Sequence, residues 1–227
     1  MTGPTRPARP GRPGRPGRLI VVTGTGTEVG KTWVGAALAR HLIAAGIAVA
    51  ARKPAQSFAT GDGPTDAEVL GAATGEAPTT VCPEHRWYGT PMAPPMAADA
   101  LGRPPFTIAD LTSEIVWPDG DGDAVGLVEG AGGPRSPLAS DGDTVDLAAA
   151  LGPDLVVVVA DAGLGTINAV RLAVTPFDGL APVCVVLNRY DDTDELQRRN
   201  HAWLASHTEL DVILDVPTLA ARVEELG

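Results

Sequence analysis

Five short apolar runs, most of them apolar without interruption, limit what this chain can fold into. They are "LIVVT" from Leu19, "IAVAARK" from Ile47, "AVGLVE" from Ala124, "LVVVVAD" from Leu155 and "PVCVVLN" from Pro182. A strand with one face in water alternates apolar and polar residues, so a run that is apolar throughout reads as a strand covered on both faces. Segments of helical character lie between the runs, over 31–45 (closed by Gly46), 66–73, 165–174 and 195–206. Strand alternating with helix predicts an α/β fold: a doubly wound, mainly parallel sheet with helices on both faces. The 227 residues show no composition break after the first twenty, so residues 19–227 read as a single domain.

In such a sheet, ligands bind beyond the carboxyl ends of the strands. The residues just past each run are therefore the ones to inspect: 23–32, 53–57, 129–133, 161–168 and 188 onward. The first of these stretches reads "TGTGTEVGKT". A phosphate-binding loop of the form G-x-x-x-x-G-K-[ST] would place glycine at position 25, where Thr25 stands, and Gly24 comes one residue early. Gly30, Lys31 and Thr32 still supply the final turn, a mobile cation and a hydroxyl able to ligate magnesium, at a strand-to-helix junction whose free N–H groups favour anions. A tight turn that serves only backbone geometry explains the glycines but not Gly-Lys-Thr in that place. The fold is thus P-loop NTPase-like, of an uncommon subtype, and Glu28 inside the loop must point away from any phosphate.

Further chemistry collects at the same edge. Lys53 in "RKPAQS" ends a strand, with Ser57 four residues on. A strand-terminal lysine is ordinarily a solvated charge, but beside Lys31 it can stabilise charge that develops during phosphoryl transfer. On that role, Lys53→Ala costs on the order of a hundredfold or more in turnover, with folding little changed. Thr65 and Glu68 in "PTDAEVL" have capping-box spacing, which leaves the Asp66 carboxylate available to a metal. Glu129 in "LVEGAGG" follows a buried strand and suits magnesium, which takes a few oxygen ligands together with water and phosphate.

Other features set bounds. A formal charge of −11 disfavours a nucleic-acid partner, and no apolar run approaches a membrane span. The opening 1–18, with five arginines among proline and glycine, has no apolar segment and reads as a disordered tail without an assigned function. Cys184 reads as a buried free thiol and fits a reducing cytoplasm. "WPDGDGDAVG" fails as a calcium loop because Ala124 replaces the turn glycine and Gly130 the closing glutamate. The proline-rich stretch 79–123 predicts only a helix over 108–116.

Taken in order, "GTGTEVGKT", "KPAQS", "PTDAEVL", "PMAPPMAA", "VEGAGG", "GLGTIN" and "VVLN" resemble the dethiobiotin synthetase family over about residues 19–224. In that family Thr-Glu before Val-Gly-Lys-Thr is the usual loop, which accounts for the odd spacing. The resemblance implies ATP-dependent ring closure. Carbon dioxide adds to an amine of diaminopelargonic acid, the carbamate takes the γ-phosphate, and the second amine expels phosphate to give dethiobiotin. It implies a homodimer and three magnesium ligands, Thr32, Asp66 and Glu129. It also implies Lys31 and Lys53 on the phosphates and carbamate, Thr27 and Ser57 near the substrate, and Asn188 reading the adenine. The nucleotide site so implied runs over Glu28, Val29, Gly30, Lys31, Thr32 and Trp33, then Asp66, Glu129, Gly130, Ala131 and Gly132. It ends on Asn188, Arg189, Pro217, Thr218 and Leu219. Ala169 stands where family members often carry His, and Arg189 where Asp is common.

Two other readings were weighed. A cobyrinate-modifying synthase would need a further glutaminase domain with a nucleophilic cysteine, and a partitioning-type ATPase would need a basic surface or an amphipathic end.

Overall fold

The structure, a computed structural model, describes residues 14–118 and 123–226. The chain begins with β1 (Arg18–Gly24), α1 (Lys31–Ala44), β2 (Val49–Arg52) and the short β3 (Gln56–Ser57), followed by α2 (Asp66–Thr74) and α3 (Pro78–Val81). A middle section holds β4 (Trp87–Tyr88), α4 (Pro94–Ala100), α5 (Ile108–Glu114), β5 (Val125–Glu129), β6 (Pro137–Ala139), β7 (Gly142–Asp143) and α6 (Thr144–Leu151). The last third alternates: β8 (Leu155–Asp161), α7 (Thr166–Val174), β9 (Val183–Asn188), α8 (Glu195–His207), β10 (Asp211–Ile213) and α9 (Val216–Glu224).

Among the described residues, one parallel six-stranded sheet has the order β10-β9-β8-β1-β5-β2. All five predicted runs lie in it. The sixth strand, β10, escapes a reading by apolar runs because its three residues include Asp211. The continuous apolar character is explained by two helical layers. Leu19 and Val21 of β1 face a core shared with Phe106, Leu147 and Val170, while Ile20 and Val22 face one shared with Leu38, Leu70 and Leu219. Each such side chain, fully removed from water, contributes about 1.5–3 kcal/mol.

Local signals start the helices, the predicted one at Thr65 among them. The Thr65 hydroxyl accepts from Glu68 N–H while the Glu68 carboxylate accepts from Thr65 N–H, which closes the capping box of α2. Asp143 closes a second capping box with Asp146 on α6, and the Asp194 and Asp215 carboxylates accept from first-turn N–H groups of α8 and α9. The proline-rich stretch, for which the sequence predicts only one helix, also holds β4, which pairs with β3 in a separate small sheet, and α4, while α3 runs into its start. No helix among the described residues is long and apolar enough to cross a membrane.

The described residues reach back into the expected tail. Residues 1–13 of the tail are outside the described residues, but Arg15 forms an ion pair with Asp154 at 3.1 Å and Arg18 belongs to β1. The Arg18 guanidinium donates to the Asp123 carbonyl at 2.7 Å. Asp119 and Asp121 of the acidic loop also lie outside the described residues. Cys82 and Cys184 are both buried free thiols.

Candidate functional site

The loop between β1 and α1 resolves its own spacing. Gly24 is still sheet: a Cβ there would sit 2.6 Å from Val29 Cγ2 and 2.9 Å from the Val159 carbonyl, so close packing against β8 requires glycine. Gly30 does the turning. It has φ 93°, and a Cβ would lie 2.1 Å from Asn188 Nδ2, so both its conformation and its neighbour exclude a side chain. The Asn188 amide donates to the Val29 carbonyl at 3.0 Å, tying the end of β9 to the loop.

Register brings the charged residues together. Arg52 of β2 lies opposite Val128 of β5, so one step further along both strands Lys53 comes beside Glu129. Lys53 Nζ is 2.7 Å from Glu129 Oε1 and 2.8 Å from Asp66 Oδ2, and it donates to the Gly130 carbonyl at 2.9 Å. Thr32, in the first turn of α1, donates to Asp66 at 2.8 Å or Glu129 at 3.0 Å. Residues 32, 53, 66 and 129 thus form one hydrogen-bonded cluster. Lys31 lies against it, with Nζ donating to the Gly26 carbonyl at 2.6 Å.

The electrostatics follow from burial and pairing. Burial alone would pull the Lys53 pKa down, but Asp66 and Glu129 more than offset it, and Lys53 stays protonated well above the usual lysine range. Lys53 in turn holds the Asp66 carboxyl below its usual range. Burial pushes Glu129 up, only partly countered by Lys53, and burial with repulsion from Lys53 brings Lys31 down. The site therefore has a cation locked by two carboxylates, Lys53, and a second, Lys31, with no ion pair within 4 Å among the described residues.

A cleft of about 610 Å³ opens over this cluster, lined by Thr27, Glu28, Gly30, Lys31, Thr32, Lys53, Gln56, Ser57, Asp66, Glu129, Ala131, Gly132 and Arg189. Most residues singled out in the sequence meet there. Glu28 and Arg189, with φ 60° and 58°, are the non-glycine residues of positive φ among those described, and such backbones concentrate at working sites. Ser57 donates to the Met92 carbonyl at 2.5 Å.

Several residues of the expected nucleotide site lie outside the cleft lining or turn their side chains elsewhere. Leu219 is fully buried in the core and offers no side chain to a ligand. Pro217 and Thr218 form the first turn of α9, exposed beyond the end of β10 and outside the cleft lining. Trp33 is 56% exposed and likewise outside that lining, and Val29 packs against the core. Gly130 spends its N–H on the Val22 carbonyl and offers the site a carbonyl instead. The expectation that Lys53→Ala leaves folding unchanged gives way to burial, since its loss strands two carboxylates. Gln56, which the sequence left without a role, is 2% exposed in the cleft wall; its only signal was its place between Lys53 and Ser57.

A family model described as an AAA domain matches residues 18–225. The chain is 41% identical over 209 residues to the ATP-dependent dethiobiotin synthetase BioD of Rhodococcus jostii (strain RHA1), covering 90% of this chain and 88% of that one. It is 39% identical over 218 residues to the enzyme of the same name from Anaeromyxobacter dehalogenans (strain 2CP-C), covering 92% and 96%. Among solved structures, the septum site-determining protein MinD of Pyrococcus horikoshii OT3 superposes with a TM-score of 0.52 at 16% identity, over 92% of this chain and 86% of that one. A plasmid partition protein of Borrelia burgdorferi B31 gives 0.51 at 12% identity, over 94% and 91%. These two share the P-loop fold. With the loop, the lysines and the carboxylates gathered on one rim, and with relatives near 40% identity along nine-tenths of its length, the chain belongs to the dethiobiotin synthetase family.

Proposed function

We propose that the chain catalyses the ATP-dependent carboxylation and ring closure of diaminopelargonic acid to dethiobiotin, a C–N bond-forming ligase step of biotin biosynthesis. The observation that carries the reading is the convergence of Lys31 and Lys53 with Thr32, Asp66 and Glu129 on one cleft. An amine nitrogen adds to carbon dioxide and loses a proton, giving a carbamate. A carbamate oxygen attacks the γ-phosphorus of ATP and ADP leaves; the second amine then attacks the carbon of the mixed anhydride and phosphate leaves.

The difficulty lies in the second step, where an anion must approach an anion. Fixed cations lower that barrier because they are already oriented when charge develops. Lys53, protonated and held by two carboxylates, is the cation that faces the carbamate and the γ-phosphate. Lys31, now turned to the Gly26 carbonyl, exchanges that partner for the polyphosphate. Thr27 and Ser57 hold the substrate, and the Glu28 carboxylate suits a cationic amine. Gly30, Ala131 and Gly132 offer backbone to the phosphates, while Asn188, Arg189, Trp33, Pro217 and Thr218 mark the side on which the base lies.

Magnesium fits the oxygen donors present. Thr32, Asp66 and Glu129 converge, and Glu129 Oε2 is buried with no hydrogen-bond partner among the described residues. These residues alone make no cluster of three acidic, His or Cys ligands, as suits an ion that takes phosphate and water for the rest. Such an ion, when bound, supplies charge neutralisation on the phosphate oxygens. We further propose one domain over 19–227, a homodimer, and a cytoplasmic setting that keeps Cys82 and Cys184 reduced.

The test is incubation with ATP, magnesium, bicarbonate and diaminopelargonic acid, scoring ADP and dethiobiotin. Stoichiometric formation of both is expected. ADP formed without dethiobiotin, or stimulated by DNA in place of the diamine, would sink the reading.

A further inference from the structure

Gln56, a residue of the cleft wall, carries an unspent donor. Its Oε1 accepts from the Ala67 N–H at 3.0 Å, and that N–H is one of the free donors of the first turn of α2. A backbone N–H can only donate, so the oxygen must face α2 and the amide nitrogen must face the other way. Nε2 is buried and has no hydrogen-bond partner among the described residues, although the side chain is 2% exposed and lines the cleft. A buried amide donor left unmatched carries a desolvation cost, and such groups ordinarily find a partner.

Resting on the reaction proposed above, we infer that Gln56 Nε2 donates to the oxygen that carbon dioxide brings into the substrate. That oxygen is first a carbamate oxygen, then the carbonyl oxygen of the mixed anhydride, and finally that of the cyclic urea. Only an acceptor can satisfy Nε2, which excludes the ammonium forms of the diamine. An amine nitrogen poised to attack needs its lone pair for the carbon. Between carbamate and phosphate, position decides. Lys31 and Thr32 approach from the P-loop and α1, whereas Gln56 belongs to β3, next to Ser57 and paired with β4. A neutral donor also suits the chemistry, because it orients the carbamate without adding charge to the nucleophile. When the second amine attacks, negative charge moves onto this oxygen, and a pre-placed donor stabilises it.

Gln56→Met removes the donor and the cap on Ala67, while Gln56→Glu keeps an acceptor for Ala67 and removes the donor. Both variants are expected to lose on the order of ten- to a hundredfold in kcat/KM for the diamine. Affinity for a non-hydrolysable ATP analogue with magnesium should change by no more than about twofold, since it reads none of the lost contact. Dethiobiotin, which retains the urea oxygen, should bind both variants more weakly than it binds the wild type in calorimetry without nucleotide. Retained kcat/KM in either folded variant would overturn the inference, as would a loss of nucleotide affinity in Gln56→Glu equal to its loss of turnover. A wild type that forms no dethiobiotin would instead overturn the reaction itself.

Discussion

Two cavities among the described residues invite comparison, and the larger of the two is not the reactive one. The second, of about 740 Å³, lies among Glu84, His85, Arg86, Tyr88, Arg103, Phe106 and Asp110. Much of its charge is already engaged within the fold: Arg86 is bidentate to Glu114 at 2.8 and 2.6 Å, and the Asp110 carboxylate accepts from the Thr107 N–H at 2.8 Å. Arg103 donates to the His85 and Trp87 carbonyls and lies over the Tyr88 ring. The cleft over the sheet, at about 610 Å³, keeps bonding capacity in reserve. Gln56 Nε2 and Glu129 Oε2 have no hydrogen-bond partner among the described residues, and Lys31 Nζ donates to a loop carbonyl. Size reports where the packing is loose; an unmatched buried donor or acceptor points to a ligand where it also lines a cleft.

Substitutions in the two regions should therefore behave in opposite ways. The largest effect is expected at Lys53. Lys53→Ala should cost a hundredfold or more in kcat, and leaving Asp66 and Glu129 unpaired should lower stability by about 3–5 kcal/mol, read by urea unfolding. A fully active, stable variant would erase the contrast. Next comes Glu129→Gln, which keeps the shape of the site but weakens its pull on a divalent ion. Nucleotide affinity in the presence of magnesium should fall about tenfold or more, while affinity without the metal should move little.

A pH series sharpens the same point. Asp66 has its folded pKa depressed by Lys53, so its contribution to stability is complete above the unfolded carboxylate value and is lost as pH falls through the folded value. Lys53, raised above its unfolded value, contributes below that value and loses it only as the pH climbs through the folded one. Wild type should exceed Asp66→Asn in stability at neutral pH, with the gap closing on the acid side. A gap that widens with acid would reverse the assignment. The smallest effects belong to the other cavity. Arg86→Met should destabilise by about 1–3 kcal/mol through the lost charged hydrogen bonds, and Arg103→Ala by about 0.5–1 kcal/mol. Neither should alter kcat/KM for the folded protein.

Much of this was legible in the chain. The five apolar runs became strands because both faces of the sheet are covered, and the Thr65–Glu68 spacing became a capping box as written. The prolines of 79–123 obscured α3, α4 and the β3–β4 pair, since these short elements rest on tertiary packing more than on periodicity. Leu219 shows a side chain whose place only packing decides. The motif placed it at the nucleotide, and the amphipathic face of α9 places it in the core.

By itself the sequence determined what neighbours along the chain decide: strand and helix character, helix caps, and the Gly30-Lys31-Thr32 turn, whose physics is complete within a few residues. Tertiary structure alone decided that Lys53 would be locked between Asp66 and Glu129, and that Asn188 would hold the Val29 carbonyl. It also decided that Gln56 would turn its oxygen to α2 and leave its nitrogen unmatched. Those choices depend on strand order and register, which set side by side residues that lie from about ten to well over a hundred positions apart along the chain.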